Sequence, residues 1–459
     1  MLFDQFGWHR EKSAPRPNRT RALFCILIKK ECVAMLDIKW IRQNQAEVQT
    51  IADQKGIPIS IHQLVEYDDR RRALLHELEQ LRQDRNRLSQ EISVFMRSHE
   101  REKVDHHKKR VKEINQRLHT IEEEHKEVEG HYKQLMLYVP NVVSPDTPVG
   151  GSDHDNVEIK RVGEPTTFAF EPKDHVALGK LHQMIDLPRG VKTAGSRNYY
   201  LTDMGALLHR AVQQLAIDVL VQRGFKLLEV PLMVRTEALL NTAHFPLSQE
   251  QTFKMAEEDK WLVGTSEVPL VSYYDHEMID VAEPIRLAAV STCFRNEVGS
   301  AGKDVHGLYR LHQFAKVEQV ILCEANLDIS EQLFQEITAN AEEILSLLEL
   351  PYRIMAVCTG DMSQKTYKQW DIETWMPSRH GYGETHSASN LLDFQARRSN
   401  IRYRDADGKT QFCYTLNNTA IASPRILIPL LENHQQEDGS IRIPLALQRY
   451  MQGRERLEP

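Results

Sequence analysis

Apolar residues recur with the spacing of a coiled coil along a long stretch near the start of the chain. The first series steps by fours and threes through Leu74, Leu78, Leu81, Leu88, Ile92 and Phe95, with Arg85 at the single gap. The second series is Val104, Val111, Ile114, Leu118, Ile121, Val128, Tyr132 and Leu135, interrupted by His107 and His125. Either helix alone would leave an apolar stripe in water, so the pattern predicts an antiparallel hairpin that turns near residues 98–102.

The polar surface of this hairpin carries many cations. They are Arg70, Arg71, Arg72, Arg82, Arg85, Arg87, Lys108, Lys109, Arg110 and Lys112. Acidic residues such as Glu77, Glu79 and Glu113 lie among them, so the cations could contact phosphates or pair along a solvated face. The heptads alone favour a dimerisation or scaffolding coiled coil, and the rest of the chain is needed to interpret them.

The pattern changes after the hairpin. Residues 141–151 are rich in Pro, Gly, Ser and Asp, which indicates a domain boundary. Farther along, Leu208, Ala211, Val212, Leu215 and Val219 form one face of a helix that ends at Gly224, and a strand-like segment then stops at Pro231. We therefore expect an α+β protein with a helical arm at 35–140, a linker at 141–155 and a larger domain at 156–459.

Composition narrows the class of protein. The chain has 459 residues, 41% of them hydrophobic and 27% charged, which is typical of a globular protein of two or three domains. A net charge of -7 argues against wholesale wrapping of nucleic acid but permits local phosphate contacts. The six cysteines have no short paired spacing, so we expect neither zinc nor disulfides and a reducing cytoplasm. No apolar run is long enough for a membrane span.

The segment 1–34 has no sustained periodicity, and Met35 begins a cleaner start. Lys29-Lys30-Glu31 can be encoded by a purine run that resembles a ribosome-binding site upstream of the Met35 codon. We expect 1–34 to be a mis-annotated extension or a disordered tail. A targeting peptide is disfavoured because Asp4, Glu11 and Glu31 are acidic.

Two predicted strands carry the chemistry. One ends in Cys293-Phe-Arg-Asn-Glu, and after a glycine-rich turn the other contains His312-Gln-Phe-Ala-Lys-Val-Glu318. A period of two residues puts Arg295 and Glu297 on one face, and His312, Phe314, Lys316 and Glu318 on one face of the partner strand. An arginine for phosphate, a carboxylate for an exocyclic amine and a ring for stacking suit a nucleotide. A merely charged solvent face would leave Phe314 exposed without a reason.

These residues resemble the second signature motif of seryl-tRNA synthetases. Gly264-Thr-Ser-Glu267 is similar to the serine-binding segment of that family. The same holds for residues 370–377, Ser389-Asn390, residues 393–404, Glu432-Asn433 and residues 436–439. The helix and strand before Pro231 resemble the first motif of class II aminoacyl-tRNA synthetases. The likeness runs from Met35 to about Gly453.

The resemblance implies a tRNA-binding helical-hairpin arm followed by a class II domain built on an antiparallel β-sheet flanked by helices. It implies a cytoplasmic homodimer that activates serine with ATP and Mg²⁺. The seryl group then passes to tRNA-Ser, with tRNA-Sec as a further candidate acceptor. It also implies that Arg295 bridges the serine carboxylate and the α-phosphate, and that Arg425 serves the triphosphate end.

The resemblance further implies two sets of binding residues. Those for ATP are Arg295, Asn296, Glu297, Phe314, Glu384, Thr385, His386, Ser387 and Arg425, with Glu384 and Ser387 holding Mg²⁺ through ATP. Those for serine are Thr265, Ser266, Glu267, Glu318 and Thr419. A site that hydrogen-bonds a hydroxyl rejects analogues that lack it, so Glu318 and Thr419 are candidates for the serine hydroxyl. Thr265 and Glu267 are candidates for its ammonium group.

Several loops depart from the family pattern. The chain has Asn241-Thr-Ala-His-Phe-Pro246, His386 and Leu416-Asn-Asn-Thr-Ala-Ile-Ala-Ser-Pro-Arg425 where other residues are usual. Pro429 is expected to remove a helix hydrogen bond and kink the chain near Arg425. These changes predict an active but altered enzyme, such as a second copy of a housekeeping synthetase. The alternatives are an enzyme that passes serine to a carrier protein and a tRNA-binding pseudo-enzyme.

Overall fold

The computed structural model describes residues 37–299 and 306–459. The proposed start at Met35 and the extension 1–34 therefore lie outside the described residues, as do residues 300–305.

The N-terminal part is a helical arm. Its helices are α1 (Ile38–Gln43), α2 (Gln45–Gln54), α3 (Ile61–Arg97) and α4 (Arg101–Met136). The Ser60 hydroxyl caps α3 by accepting from the Gln63 backbone N–H. At 37 residues, α3 is about 55 Å long. Leu74, Leu78, Ile114, Leu118, Ile121 and Val128 form one buried cluster between α3 and α4. The predicted antiparallel hairpin is confirmed.

Many cations of the arm pair with acids across the hairpin. Arg70 contacts Glu124, and Arg82 lies 2.8 Å from Glu122. In the part of the chain that the structure describes, no ion pair forms at Lys108, Lys109 or Lys112. The exposed side of α4 therefore retains positive charge that is not neutralised within the arm.

The remaining helices are short except for two. They are α5 (His175–Leu181), α6 (Leu187–Ala194), α7 (Asp203–Gln222), α8 (Thr236–Asn241), α9 (Glu267–Ser272), α10 (Leu327–Leu347), α11 (Phe394–Ser399), α12 (Leu427–His434) and α13 (Leu445–Gln448). The strands are β1 (Val157–Val162), β2 (Ile185–Asp186), β3 (Tyr200–Leu201), β4 (Lys226–Leu228), β5 (Met233–Val234), β6 (Trp261–Leu262), β7 (Ile285–Phe294), β8 (Gln313–Cys323), β9 (Tyr352–Ala356), β10 (Lys368–Met376), β11 (Gly381–Leu392), β12 (Arg402–Arg404), β13 (Thr410–Phe412), β14 (Tyr414–Ser423), β15 (Ile441–Arg442) and β16 (Arg456–Leu457).

One large sheet organises this part of the chain. Its eight strands have the order β1-β9-β10-β11-β14-β8-β7-β4. All neighbours are antiparallel except β4 and β7, which are parallel. Helices α7 and α10 pack with the sheet in the main core. The predicted α+β class and the antiparallel sheet flanked by helices are confirmed.

Successive side chains of the central strands β8 and β14 point to opposite faces of the sheet, one toward the core with α10 and the other away from it. Gln319 of β8 and Asn418 of β14 both donate to the Ile337 carbonyl oxygen of α10. Their neighbours Glu318 and Thr419 pair with each other in the register, so both point to the opposite face. That opposite face carries the candidate site.

The arm is joined to the sheet domain through a buried lysine. The Lys55 ammonium donates to the carbonyl oxygens of Ser363 (3.3 Å), Gln364 (3.4 Å) and Thr366 (2.7 Å). The Asn141 side chain donates to the Lys365 carbonyl oxygen at 3.0 Å. The start of the predicted linker is therefore hydrogen-bonded to the sheet domain.

We expect Lys55→Met to lower the free energy of unfolding by about 3 kcal/mol, because buried carbonyl groups lose their donor. The methionine keeps most of the apolar stem, so the loss reports chiefly on the hydrogen bonds. Urea denaturation followed by circular dichroism measures it. The exposed Lys39→Met on α1 is the control and should change stability by less than about 0.5 kcal/mol. Equal values for the two variants would contradict the prediction.

The helix after Arg425 differs from expectation. Because α12 begins at Leu427, Pro429 lies in the first turn, where a backbone N–H has no helical partner. The expected loss of a helix hydrogen bond at Pro429 is therefore wrong.

Four described cysteines, Cys293, Cys323, Cys358 and Cys413, are buried free thiols. Among residues 37–299 and 306–459, no helix has the length and apolar content required to cross a membrane.

Candidate active site

A cavity opens on the face of the sheet opposite α10. Its wall includes many of the predicted residues, namely Arg295, Glu297, Phe314, Lys316, Glu384, Thr385, His386, Thr419 and Arg425. They come from the segment that follows β7, from β8, β11 and β14, and from the segment after β14. Neighbouring strands of one sheet thus bring residues that are far apart in sequence to a common surface.

Arg295 stands exposed at one side of the cavity. Its Nε donates to the Gly264 carbonyl oxygen at 3.2 Å, and its guanidinium lies 5.3 Å from the centre of the Phe314 ring. Both terminal nitrogens of Arg295 make no hydrogen bond with the described residues. The Arg295 side chain is therefore held by the hydrogen bond of Nε, while its two terminal nitrogens, which we call its outer fork, can bind an anion.

The strand argument fails for Glu297, although the residue reaches the site. Strand β7 ends at Phe294, and Glu297 has φ +50°, so it does not share a strand face with Arg295. Its carboxylate instead accepts from Arg310 at 3.3 Å, and the turn places it in the cavity wall. His312 likewise precedes β8 and bonds to the Arg295 carbonyl oxygen. Phe314, Lys316 and Glu318 lie at alternate positions of β8, as the periodicity predicts.

Asn296 points elsewhere. Its amide donates to the Glu250 carbonyl oxygen at 3.2 Å, and its backbone N–H donates to Gln251. Asn296 is absent from the cavity wall described here, so its assignment to ATP stays a prediction.

The other end of the cavity holds Arg425. Its Nε donates to the Tyr309 carbonyl oxygen at 3.0 Å, and Nη1 donates to the Glu384 carbonyl oxygen at 3.1 Å. The Arg425 and Arg379 guanidinium groups each lie 4.4 Å from the centre of the Tyr309 ring. Two cations at one ring make this end suitable for an anion. The sequence reasoning did not identify Tyr309 or Arg379.

A bulge arranges the predicted magnesium ligands. Along β10 and β11, Asp371 pairs with Ser387 and Glu373 pairs with Glu384, which leaves Thr385 as the extra residue. Since Asp371 and Glu373 share a face, Ser387 and Glu384 share it too. Burial, with the nearby Glu384 carboxylate, raises the pKa of Asp371 to about 8. Side-chain oxygens of Glu384 and Ser387 on one face of the sheet, next to the Asp371 carboxyl group, fit a magnesium ion that also binds phosphates.

His386 and Thr385 border the cavity from the buried side. The His386 ring contacts the Thr385 hydroxyl at 2.8 Å, and that hydroxyl lies 2.7 Å from Thr374. Burial lowers the pKa of His386 to about 3, so the ring is neutral near pH 7. His386 therefore contributes shape rather than charge.

Two buried carboxylates, Glu318 and Glu267, form the acidic end of the site. Glu318 lies 2.5 Å from the Lys316 ammonium, and the Thr419 hydroxyl donates to Glu318 at 3.5 Å. Burial raises the pKa of Glu318. The hydroxyl of Thr419, which lines the cavity, and the buried carboxylate of Glu318 therefore form one polar pair.

The second carboxylate is Glu267. Its Oε1 accepts from Lys365 at 2.6 Å and from Gln395 at 2.7 Å. Its backbone N–H donates to the Thr265 hydroxyl at 3.2 Å. Burial alone would raise the pKa of Glu267, but Lys365 and His244 outweigh it and lower the pKa to about 2. Glu267 is thus a fixed negative charge.

Ser266 stands apart from this set. Its buried hydroxyl makes no hydrogen bond with the residues that the structure describes, although it lies between Thr265 and Glu267 in sequence.

Three partners of Glu267 were missed from sequence. Lys365 and Gln395 lie 98 and 128 residues from it along the chain. His244 Nε2 lies 3.6 Å from Glu267 Oε2. Signals existed for two of them, because Gln395 belongs to the motif that begins at Asp393 and His244 lies in a loop flagged as unusual. Nothing in the sequence pointed to Lys365.

Two family models match the chain. The model for the tRNA synthetase class II core domain (G, H, P, S and T) matches residues 251–434. The model for the seryl-tRNA synthetase N-terminal domain matches residues 35–143. The sheet, its cavity and these matches define a class II aminoacyl-tRNA synthetase.

Similar proteins specify the family. A serine–tRNA ligase of Deinococcus radiodurans is 43% identical over 422 residues, which cover 92% of this chain and 98% of that protein. A serine–tRNA ligase of Symbiobacterium thermophilum is 40% identical, over 91% of this chain and 98% of that protein. The chain belongs to the serine–tRNA ligase family. A crystal structure of seryl-tRNA synthetase from Pyrococcus horikoshii complexed with ATP has a TM-score of 0.85 at 35% identity, over 93% of this chain and 100% of that one.

Proposed function

We propose that this protein activates serine with ATP and transfers the seryl group to tRNA-Ser. One observation carries the proposal: Arg295 and Arg425 line the cavity, and the buried carboxylate Glu318 contacts two other residues of its wall, Lys316 and Thr419. A small polar amino acid fits the acidic end of the site formed by Glu318 and the nearby Glu267, and a nucleoside triphosphate fits the two arginines. Membership of the serine–tRNA ligase family supports the same assignment.

In the first step a serine carboxylate oxygen attacks the α-phosphorus of ATP. The bond from that phosphorus to the oxygen leading to the β-phosphate breaks, so seryl-adenylate and pyrophosphate form. The outer fork of Arg295 holds the serine carboxylate and the α-phosphate together, and this positioning supplies most of the catalysis. Glu297 and Phe314 hold adenine, and Arg425 holds the triphosphate end. Asn296, Thr385 and His386 complete the proposed ATP set.

Mg²⁺ would be held by Glu384 and Ser387, which share one face of the sheet through the β11 bulge. When bound, the ion supplies positive charge to the phosphate oxygens. Asp371 lies beside these ligands, and because burial and the Glu384 carboxylate raise its pKa, a bound cation would favour the ionised form of Asp371.

In the second step a terminal ribose hydroxyl of the tRNA attacks the carbonyl carbon of seryl-adenylate. The bond between that carbon and the phosphate oxygen breaks, AMP leaves, and the hydroxyl proton passes to solvent. The arm would contact the tRNA through cations that are not neutralised, such as Lys108, Lys109 and Lys112. tRNA-Sec is a second candidate acceptor. The proposed location is the cytoplasm.

Serine selectivity would depend on the pair formed by Glu318 and Thr419. We expect Thr419→Val to lower kcat/KM for serine about 10-fold, because the serine hydroxyl loses one partner. The kcat/KM for alanine should change less than about twofold, because alanine has no hydroxyl that could lose a partner. Pyrophosphate exchange with each amino acid measures both. A similar loss for both amino acids would contradict a role in hydroxyl recognition.

Among the described strands, β4 lies at the edge of the sheet and pairs only with β7, and a homodimer would form along this edge. Leu227 on this strand is 46% exposed, and Leu207, Ile217 and Val290 line an adjacent groove. We expect Leu227→Asp to convert a dimer into a monomer in sedimentation velocity, since a buried charge opposes association. The matched control is Leu75→Asp on the arm, where the leucine is 41% exposed, and it should remain dimeric.

Serine-dependent exchange of pyrophosphate into ATP, followed by charging of purified tRNA-Ser, tests the proposal. We expect both activities. Exchange without charging would favour transfer to a carrier protein, and loss of both would favour a tRNA-binding pseudo-enzyme. Charging of tRNA-Sec and a requirement for Mg²⁺ are measured in the same assays.

A further inference from the structure

His244 contacts the carboxylate that the proposed function assigns to the serine ammonium group. It lies after α8, in the loop Asn241–Pro246, and 22% of its side chain remains exposed. Its Nε2 is 3.6 Å from Glu267 Oε2. That oxygen has no hydrogen-bond partner among the described residues, whereas Oε1 already accepts from Lys365 and Gln395.

The hydrogen bonds around His244 define which ring nitrogen carries the proton. The Thr242 hydroxyl donates its single proton to the Ala238 carbonyl oxygen at 2.7 Å. The same hydroxyl lies 3.1 Å from His244 Nδ1. Since the carbonyl can only accept, the hydroxyl must accept from Nδ1–H for both contacts to be hydrogen bonds. In the neutral ring Nε2 is then an acceptor.

Two acceptors therefore face each other across 3.6 Å, Nε2 of His244 and Oε2 of Glu267. They cannot bond to each other without a proton. A primary ammonium group whose nitrogen lies about 3 Å from each acceptor could donate one N–H to Nε2 and another to Oε2. Charge supports the neutral ring, because burial and the nearby Lys365 lower the pKa of His244 to about 3.

We infer that His244 Nε2 is a direct ligand of the substrate's α-ammonium group and shares it with Glu267. The inference rests on the proposed function, which places the amino acid beside Glu267 at the acidic end of the site. The ammonium group would then have a neutral acceptor, His244 Nε2, in addition to the charged Glu267 carboxylate. His244 is then a substrate-binding residue supplied by the loop in which this chain departs from the family pattern.

Two stable analogues of the adenylate isolate the ammonium contact. One is 5′-O-[N-(L-seryl)sulfamoyl]adenosine, and the other is the same molecule without its α-amino group. Isothermal titration of the full chain gives the dissociation constant of each, and their ratio is the preference for the amino group. The variants are His244→Leu, which removes the acceptor, and His244→Gln, which can place an amide oxygen near the position of Nε2.

We expect His244→Leu to lower the preference at least about 10-fold, because a hydrogen bond from a charged donor is lost. The analogue without the amino group should bind this variant as it binds the wild type, which shows that the cavity is intact. His244→Gln should restore most of the preference. An unchanged preference in His244→Leu, or equal weakening of both analogues, would overturn the inference.

A different outcome would separate this inference from the proposed function. If the wild-type protein bound the two analogues equally, Glu267 itself would not be an ammonium site, and both proposals would fail. If the wild type preferred the amino group and His244→Leu kept that preference, only the role of His244 would fail.

Discussion

Arg295→Lys should lower kcat/KM for serine activation about 1000-fold while leaving the fold unchanged. The lysine keeps one positive charge but loses the fork that is free in the structure, so it cannot bridge a carboxylate and a phosphate at once. It also loses the Nε donor that fixes the side chain to the Gly264 carbonyl oxygen. Pyrophosphate exchange at varied serine and ATP measures the effect.

Strand β7, which ends just before Arg295, offers a matched control. Arg286 lies on β7, where it forms a bidentate pair with Glu336 on α10, away from the cavity. Arg286→Lys makes the same chemical change, and activation should stay within about twofold because a partly exposed pair contributes little. If Arg286→Lys lost as much activity as Arg295→Lys, the effect would belong to the strand and not to the site.

Lys365→Met should be the most damaging change to the acidic end of the site. It leaves the Glu267 carboxylate buried without its cation, which is expected to cost about 4 kcal/mol of unfolding free energy. The KM for serine should rise about 100-fold because the carboxylate loses a hydrogen bond that positions it. Urea denaturation and pyrophosphate exchange measure the two effects.

A double variant separates stability from function. Lys365→Met with Glu267→Gln removes both charges, so most of the lost stability should return while serine activation stays low. If the double variant were no more stable than Lys365→Met alone, the ion pair would not be the source of the loss.

The pH dependence has a defined sign. The pKa of Glu267 is about 2 in the folded protein against a reference of 4.5, so its stabilisation is present above pH 4.5 and is lost as the pH falls toward 2. In Lys365→Met the cation is absent. The stability difference between wild type and this variant should therefore shrink by about 2 kcal/mol between pH 7 and pH 3.

Periodicity predicted those parts of the fold in which one physical requirement repeats. The arm follows from its heptads because each apolar stripe must be covered. The positions of Phe314, Lys316 and Glu318 follow from strand alternation. The same reasoning fails at Glu297, where the strand has already ended and a turn with positive φ carries the residue.

Long-range pairing limits prediction of the site. Sequence spacing does not show that Lys365 would reach Glu267, because the contact depends on how the loop before β10 packs beside the first residue of α9. The β11 bulge is equally hidden, although it decides that Glu384 and Ser387 share a face. The family resemblance predicted Glu384 and Ser387 as ligands, but it did not reveal the bulge that places them on one face.

The joint at Lys55 bears on how arms could be exchanged between relatives. The carbonyl groups that it contacts belong to the segment that also carries Lys365, and Asn141 bonds to the Lys365 backbone. The arm therefore cannot be exchanged independently of the sheet domain. A chimera that imports a foreign arm must also import a matching 363–366 segment, and with it the cation that pairs with Glu267.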